Sequence, residues 1–254
     1  MFEKKKILIT VKAYPNPSKT YGETVCCAGV DLSNSQLVRL FPIPYRDLDG
    51  DKKFKKYSII EAECATPSDD KRPESFRVNA DTIKVITWFD PEKGTWQKRK
   101  EIVLKVPVKS MCQVYKECES NDLSLGLIKP EKVTFEWSRQ SLSDQQSREA
   151  CYAQLSLFNK QKNAIEEIPF NFYYNFKCVG VTDCPGHKLS IIDWEIGQAF
   201  RAWQYSEEKV LLEKIKEKWL DIANTDKKDV YFYVGNLKRF RQTFMVLGVF
   251  YPKK

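Results

Sequence analysis

The sequence of 254 residues has little histidine, with His187 as its only one. A hydrolase built on a Ser-His-Asp or Cys-His arrangement would have to use that side chain, and a metal centre with several histidine ligands is excluded. Long apolar runs are also missing, because no stretch approaches the roughly 20 apolar residues that cross a bilayer. These absences exclude most histidine-dependent hydrolases and predict that no membrane is among the partners.

Cysteine, in contrast, is frequent, with eight residues in the chain. The cysteines are spread along the sequence, unlike the framework of a small disulfide-rich secreted domain. The N-terminal segment has a basic cluster, but its apolar run is limited to Ile7–Thr10, which is too short for the core of a signal peptide. We therefore expect a cytoplasmic protein whose cysteines stay reduced and are mostly buried.

Short apolar or alternating segments separated by turn residues predict a β-rich region over residues 1–106. Four or five strands at this spacing are typical of a small barrel or a strongly curved sheet. The predicted strands are Lys6–Ala13, Glu23–Val30, Gln36–Phe41, Tyr57–Cys64 and Thr82–Trp88.

Residues 107–254 predict an α+β region, so that the whole chain falls in the α+β class, as two regions or as one integrated domain. The polar segment Ser141–Lys162 is the best candidate linker. Two helices are predicted to begin at the caps Asp193 and Ser206. The aromatic residues of the second region are expected to form its core. The other predicted elements are a helix over Val108–Glu119 and strands over Lys132–Ser138, Ile168–Cys178, Lys188–Ile192, Val230–Val234 and Thr243–Phe250.

The hairpin between two of these strands carries a candidate metal site of Cys178, Cys184 and His187. Zinc prefers thiolate and imidazole ligands in a tetrahedron, and this segment offers three of the four. The fourth ligand is not local, and the candidates are Cys64, Cys112, Cys118 and Cys151. Cys112 and Cys118 would not both bind, since residues six apart on a helix point about 240° away from each other. The simpler interpretation is a hairpin with two ordinary cysteines and an exposed histidine. If the segment binds a metal, we expect a structural zinc ion.

Asp193 and Glu195 follow a predicted strand and are candidate catalytic residues. Carboxylates at a strand end can hold Mg²⁺ for phosphoryl transfer, which would make the protein a metal-dependent nuclease. The simpler interpretation is a helix N-cap followed by a first-turn acid, both stabilised by the helix dipole.

Positive charge is concentrated in two segments of this chain, whose net charge is +8. Residues 230–254 contain no Asp or Glu, and a second basic stretch lies between Arg39 and Lys56. Lysine and arginine neutralise phosphates, and neighbouring aromatic rings can stack on bases. The predicted nucleic-acid contacts are Arg39, Tyr45, Arg46, Lys238, Arg239 and Arg241.

Four segments together resemble a family of uncharacterised prokaryotic proteins. They are Ile9–Val30 (ITVKAYPNPSKTYGETVCCAGV), Val38–Leu48 (VRLFPIPYRDL), Ile191–Gly197 (IIDWEIG) and Leu247–Pro252 (LGVFYP). The resemblance covers most of the chain. It implies a bacterial or archaeal origin and no activity, so it assigns no catalytic residue.

The basic segments favour a nucleic-acid-binding module, and the resemblance suggests an accessory role in prokaryotic defence or genome maintenance. Two alternatives stay open. One is the nuclease that uses Asp193 and Glu195. The other is a protein-interaction subunit in which the apolar face of a helix over Glu207–Ala223 docks a partner protein.

Overall fold

The first region forms a closed barrel in the computed structural model, which describes residues 2–13, 16–18, 22–141 and 168–254. Five strands pair in the order β1, β3, β4, β6 and β5, and β5 pairs again with β1. Only β4 and β6 are parallel within this described ring. The strands are β1 Glu3–Lys12, β2 Asn16–Ser18, β3 Gly22–Asp31, β4 Leu37–Ile43, β5 Ser58–Ala65, β6 Ser75–Val78 and β7 Lys84–Trp88. The expected small barrel is thus confirmed.

Alternation along β5 shows why these residues close a barrel. Ile60, Ala62 and Cys64 are buried, whereas the residues between them are partly exposed. A period of two places one set of side chains inside and the other outside. Ile7 and Ile9 of β1 belong to the same buried cluster, so apolar contacts fill the interior.

Three elements of the first region were not expected from the sequence, and the first is the short strand β2, which lies where turn residues occur. The strand β6 has four residues and one buried side chain, and it pairs in parallel with β4. The helix α1, Gln97–Val103, buries Arg99 and Val103. Neither β6 nor α1 carries an apolar period long enough to be recognised locally.

The second region is a seven-stranded sheet with three helices among the residues described. The strands are ordered β10, β11, β12, β14, β13, β9 and β8. Their bounds are β8 Val108–Lys109, β9 Leu125–Ile128, β10 Pro130–Arg139, β11 Phe170–Cys178, β12 His187–Ile191, β13 Tyr231–Asn236 and β14 Phe244–Phe250, and the helices are α2 Met111–Asn121, α3 Trp194–Trp203 and α4 Glu208–Ile222. The α+β class is confirmed.

The structure corrects where two helices begin. The helix expected from Val108 begins at Met111, because the Ser110 hydroxyl accepts a hydrogen bond from the Gln113 amide at 3.0 Å and caps it there. Ser206 does not cap α4, since the N-cap is Glu207 and its side chain makes no capping bond. The linker expected over Ser141–Lys162 lies, beyond Ser141, outside the described residues.

The core of the second region confirms the packing role expected for its aromatic residues. Phe172 and Tyr174 of β11 are buried against Trp219 of α4 in one apolar cluster. The same cluster includes Leu211 and Ile215. Most of the face of α4 that would dock a partner is therefore buried within its own chain, but Val210 is 42% exposed, and the docking hypothesis stays a prediction.

A second apolar cluster is shared by the barrel and the sheet. Leu8 and Trp96 of the first region pack with Tyr233, Leu247 and Phe250 of the second. Trp96 and Phe250 have ring centroids 5.3 Å apart. The barrel and the sheet are thus joined by a common core.

Candidate functional site

Four side chains from three elements form a cluster that could hold a metal ion: Cys112, Cys178, Cys184 and His187. Their ligand atoms all lie within 4.8 Å of one another. The Cys112 sulfur is 4.0 Å from that of Cys178, 3.8 Å from that of Cys184 and 3.3 Å from His187 Nε2. Cys184 Sγ lies 3.4 Å from the same nitrogen. The structure therefore brings the three expected candidate ligands of the hairpin together, and Cys112 is the fourth member of the cluster.

Local structure explains how these ligands converge. Cys112 lies in the first turn of α2, Cys178 ends β11, and His187 begins β12. Between the strands, Gly186 has a φ of 85°, a conformation that glycine adopts at little cost. The backbone amides of Met111 and Cys178 point at the sulfurs of Cys178 and Cys184, at 3.2 and 3.3 Å. Such N–H···S contacts orient the sulfurs toward a common centre.

Burial and hydrogen bonding set the protonation of the cluster. Burial raises the pKa of the Cys178 thiol to about 12 and also raises the pKa of Cys112. Burial acts to raise the pKa of Cys184 as well, but hydrogen bonds from the amides of Cys178 and Gly186 and from neighbouring thiols bring it below its ordinary value. Burial lowers the pKa of His187, which favours the neutral imidazole that binds metals.

The other candidate ligands lie elsewhere or outside the described residues. Cys118 lies outside the cluster on another face of α2, where its thiol donates to the Arg241 carbonyl at 3.4 Å. The helical rotation that argued against joint binding by Cys112 and Cys118 is therefore confirmed. Cys64 is buried in the barrel core, and Cys151 lies outside the described residues.

Asp193 caps α3, as the simpler interpretation predicted. Its carboxylate accepts from the Glu195 amide at 3.1 Å, and both of its oxygens lie 2.8 Å from Lys56 Nζ. Glu195 is half-exposed and lies 3.4 Å from the same ammonium. Among the described residues, no third acid joins this pair in a metal-type group. Asp193 therefore forms a buried ion pair with Lys56 that joins the two regions.

Arg39 is buried, and Tyr45 is partly buried. Arg39 is 3% exposed, and its guanidinium donates to the Ser124 hydroxyl at 2.6 Å and to the Ser124 carbonyl at 3.0 Å. The burial of Arg39 removes it from the expected phosphate contacts. The Tyr45 hydroxyl donates to the Phe54 carbonyl, and Lys12 Nζ lies 4.1 Å from its ring centroid, so one ring face is already occupied.

Of the remaining predicted contacts, Arg46, Lys238 and Arg239 are exposed, and Arg241 is partly buried. Arg46 is exposed after β4. Lys238, Arg239 and Arg241 lie in the connection between β13 and β14, which we call the basic loop (Leu237–Gln242). Arg241 pairs with Asp122 at 3.0 Å.

Sequence reasoning missed the most exposed aromatic residue of this loop. Phe240 is 64% exposed and lies between the cations Arg239 and Arg241. Arg239 is exposed and has no ion-pair partner within 4 Å in the described part of the chain. The signal was available, because an aromatic residue inside a basic connection between two apolar strands has no core to enter.

The basic loop borders a groove of about 510 Å³ on the barrel. Its walls are Phe41, Pro42, Pro67, Asp69, Asp70, Ser75, Phe76, Arg77, Lys238 and Arg239. Asp69 pairs with Lys238 at 2.8 Å and with Arg77 at 2.9 Å, and Asp70 pairs with Arg72. The groove therefore combines apolar rings with an excess of cations.

Family comparisons divide the chain between two models. Residues 3–105 match Domain of unknown function (DUF8758), and residues 107–254 match Domain of unknown function (DUF8757). No curated protein matches the chain. Among the helices of the described ranges, none combines the length and apolar character that crossing a membrane requires.

Proposed function

The chain belongs to the family described as Domain of unknown function (DUF8757), and we propose that this protein binds single-stranded nucleic acid at the groove beside its basic loop. The observation that carries the proposal is the exposure of Phe240 between the cations of the basic loop. Single exposed apolar side chains are common on protein surfaces, and this one is distinguished by the arginines on both sides of it. Unpaired nucleotides offer both a ring that stacks on phenylalanine and a phosphate for the flanking cations.

The position of the groove supports this assignment by analogy of fold. A closed five-stranded Greek-key barrel is the architecture of OB-folds, which bind oligonucleotides on the second and third barrel strands and on the loop between the fourth and fifth. Here Phe41 and Pro42 lie on the third barrel strand, β4, and Pro67 and Asp69 lie on the loop between β5 and β6. This support is an analogy, since one fold serves many functions.

The charges of the groove also favour a nucleic acid. The carboxylate of Asp69 is shared by Lys238 and Arg77, so its repulsion of phosphate is offset. Arg239 contributes a cation that no described acid neutralises within 4 Å. Arginine also suits phosphate because its planar guanidinium can donate two parallel hydrogen bonds.

The test is binding of a fluorescent single-stranded oligonucleotide over a range of salt concentrations. Phe240→Ala should weaken binding by about 1–3 kcal/mol, the usual contribution of one stacked base. Arg239→Ala should reduce the steepness of the log–log salt dependence by about 0.7, because one phosphate contact is lost.

Matched controls remove an equivalent group elsewhere on the surface. Tyr205→Ala deletes a ring that is 93% exposed, and Lys209→Ala deletes an exposed cation of α4. Both controls should bind like the parent protein. Binding that does not weaken with salt, or that survives Phe240→Ala and Arg239→Ala unchanged, would refute the proposal.

We further propose that Cys112, Cys178, Cys184 and His187 hold a structural zinc ion. Zinc bound tetrahedrally, at about 2.3 Å to sulfur and about 2.0 Å to nitrogen, sets sulfur–sulfur edges of about 3.8 Å and sulfur–nitrogen edges of about 3.5 Å. The cluster has sulfur–sulfur distances of 3.8 and 4.0 Å and sulfur–nitrogen distances of 3.3 and 3.4 Å. Four protein ligands leave no open position, which favours a structural role over a catalytic one.

Elemental analysis of the purified full chain tests this proposal. We expect about one zinc ion per chain, released by a thiol-reactive mercurial and restored by added zinc after excess dithiothreitol has removed the mercurial. Protein purified with zinc in all buffers that contains no zinc, and takes up none after reduction, would refute the site.

A further inference from the structure

A second cavity, of about 310 Å³, lies where the barrel region meets the end of the chain. It shares no lining residue with the groove beside the basic loop. Its walls include Lys55, Trp88, Trp96, Arg99, Glu195 and Tyr251. Ligand cavities commonly begin at about 300 Å³, so this one has room for a single small molecule.

The wall of the cavity holds a buried arginine that lacks an acid. Arg99 is 5% exposed, and its Nε and Nη2 both donate to the Phe89 carbonyl, at 3.1 and 2.6 Å. No carboxylate of the described residues lies within 4 Å of it. Burial lowers the pKa of Arg99, which reflects the cost of a desolvated cation. Buried charges are normally paired, so an anionic ligand would complete this site.

Planar rings surround that cation. The guanidinium carbon of Arg99 lies 4.0 Å from the ring centroid of Tyr57 and 4.6 Å from that of Trp96. Trp96 and Tyr251 have centroids 4.6 Å apart. Trp88 is 43% exposed, yet its indole N–H donates to the Lys56 carbonyl at 3.0 Å, which fixes the ring at the rim. These surfaces would stack a flat aromatic ligand.

The charges at the rim decide what kind of flat ligand fits. Lys55 lies over Trp88, with its Nζ 5.0 Å from the ring centroid. Lys56 is paired with Asp193, and the one acid that lines the described cavity is Glu195. A cationic ligand would meet Arg99 and Lys55 and be repelled. An anion with an aromatic ring is favoured instead.

We propose that this cavity binds one nucleotide, with its phosphate at Arg99 and Lys55 and its base stacked against Trp88 or Tyr251. Glu195 would accept a hydrogen bond from an amino group of the base or from a ribose hydroxyl. The nucleotide could be a free mononucleotide or one unit of a single strand, and the two sources share this chemistry. The site uses residues other than those of the proposed groove, so the two proposals can fail separately.

The test is equilibrium binding to the full chain, followed by tryptophan fluorescence and by calorimetry. The probes are the four 5′-mononucleotides, the four matching nucleosides and a fluorescent single-stranded oligonucleotide. At least one mononucleotide or the oligonucleotide should bind. Loss of the phosphate from a mononucleotide should weaken binding about tenfold or more, because a charge-assisted contact is lost.

Variants at the rim avoid the buried arginine and should fold. Trp88→Ala should weaken binding about fivefold or more by removing a stacking surface, and Lys55→Ala should weaken it by a smaller factor. Tyr205→Ala and Lys209→Ala are matched controls that should bind like the parent. Circular dichroism spectra should confirm that all variants are folded.

The outcomes separate the two sources. Mononucleotide binding that Trp88→Ala weakens supports a free nucleotide. Oligonucleotide binding that Trp88→Ala weakens, without mononucleotide binding, supports a unit of a strand. If Trp88→Ala and Lys55→Ala both leave every interaction unchanged, if a nucleoside binds as tightly as its nucleotide, or if no probe binds, the proposal is wrong. If Phe240→Ala abolishes oligonucleotide binding while Trp88→Ala and Lys55→Ala leave it unchanged, the strand binds at the groove and not at this cavity.

Discussion

Removing one ligand of the Cys112, Cys178, Cys184 and His187 cluster should lower stability by an amount that depends on zinc concentration. We choose Cys184→Ser, because Cys184 lies 3.8 Å from Cys112 Sγ and 3.4 Å from His187 Nε2, and serine replaces the sulfur with a poor zinc ligand. A metal that binds the folded state stabilises it by about 4 kcal/mol when its free concentration is 1,000 times its dissociation constant.

This free energy can be converted into a melting temperature. Unfolding entropy is about 2.1 cal/mol/K per residue, which gives about 0.5 kcal/mol/K for a chain of 254 residues. A loss of about 4 kcal/mol should therefore lower Tm by about 8 °C. The assay is thermal unfolding followed by circular dichroism, with zinc and with a strong chelator.

The matched control is Cys118→Ser on the same helix. Cys118 is buried in the apolar core, and its sulfur makes polar contacts with the Arg241 carbonyl and the Asn236 amide, both at 3.4 Å, for which a serine hydroxyl is also a suitable partner. We expect Cys118→Ser to retain the zinc dependence of Tm and Cys184→Ser to lose it. Equal zinc dependence in the two variants would contradict the ligand assignment.

Three further predictions concern stability and can be measured by urea denaturation. Lys56→Met should destabilise the protein by about 3–5 kcal/mol, because both oxygens of Asp193 lie 2.8 Å from the ammonium and would stay buried without a cation. Combining Lys56→Met with Asp193→Asn should recover part of the lost stability, and no recovery would count against the ion pair. Asp70 is desolvated, but hydrogen bonds and attraction from Arg72 lower its pKa from 3.8 to about 2. Its contribution of about 1–2 kcal/mol to the free energy of unfolding is therefore present above pH 4 and is lost as the pH falls toward 2. Asp70→Asn should flatten the pH dependence of stability in that interval, and an unchanged profile would be inconsistent with the pairing. Trp219→Ala should cost about 3–5 kcal/mol, since this side chain is 2% exposed in the core, and a loss below 1 kcal/mol would show that the site collapses without a cavity.

Features set by neighbouring residues were predictable from the sequence. Asp193 was recognised as a cap because capping depends on an amide two residues away. The pairing of Cys184 with His187 followed from their spacing of three residues. The alternation along Tyr57–Cys64 predicted the strand β5, because a period of two is visible within a few residues.

Features set by distant residues were not predictable in this way. Cys112 is 66 residues from Cys178, and helical rotation could only show that Cys112 and Cys118 would not act together. The sequence predicts Arg39 as a surface cation, but Ser124, which accepts hydrogen bonds from the buried guanidinium, is 85 residues away. The strand β6 was missed because its parallel pairing with β4 leaves no local pattern.

The shared core of Leu8, Trp96, Tyr233, Leu247 and Phe250 has a consequence for how the chain folds. Each matched segment contributes apolar surface that the other covers, so neither could exist alone without exposing large aromatic rings to water. We expect one cooperative unfolding transition for the entire chain. We therefore expect that cutting the chain at residue 106, between the two family matches, would expose the aromatic rings of the shared core to water.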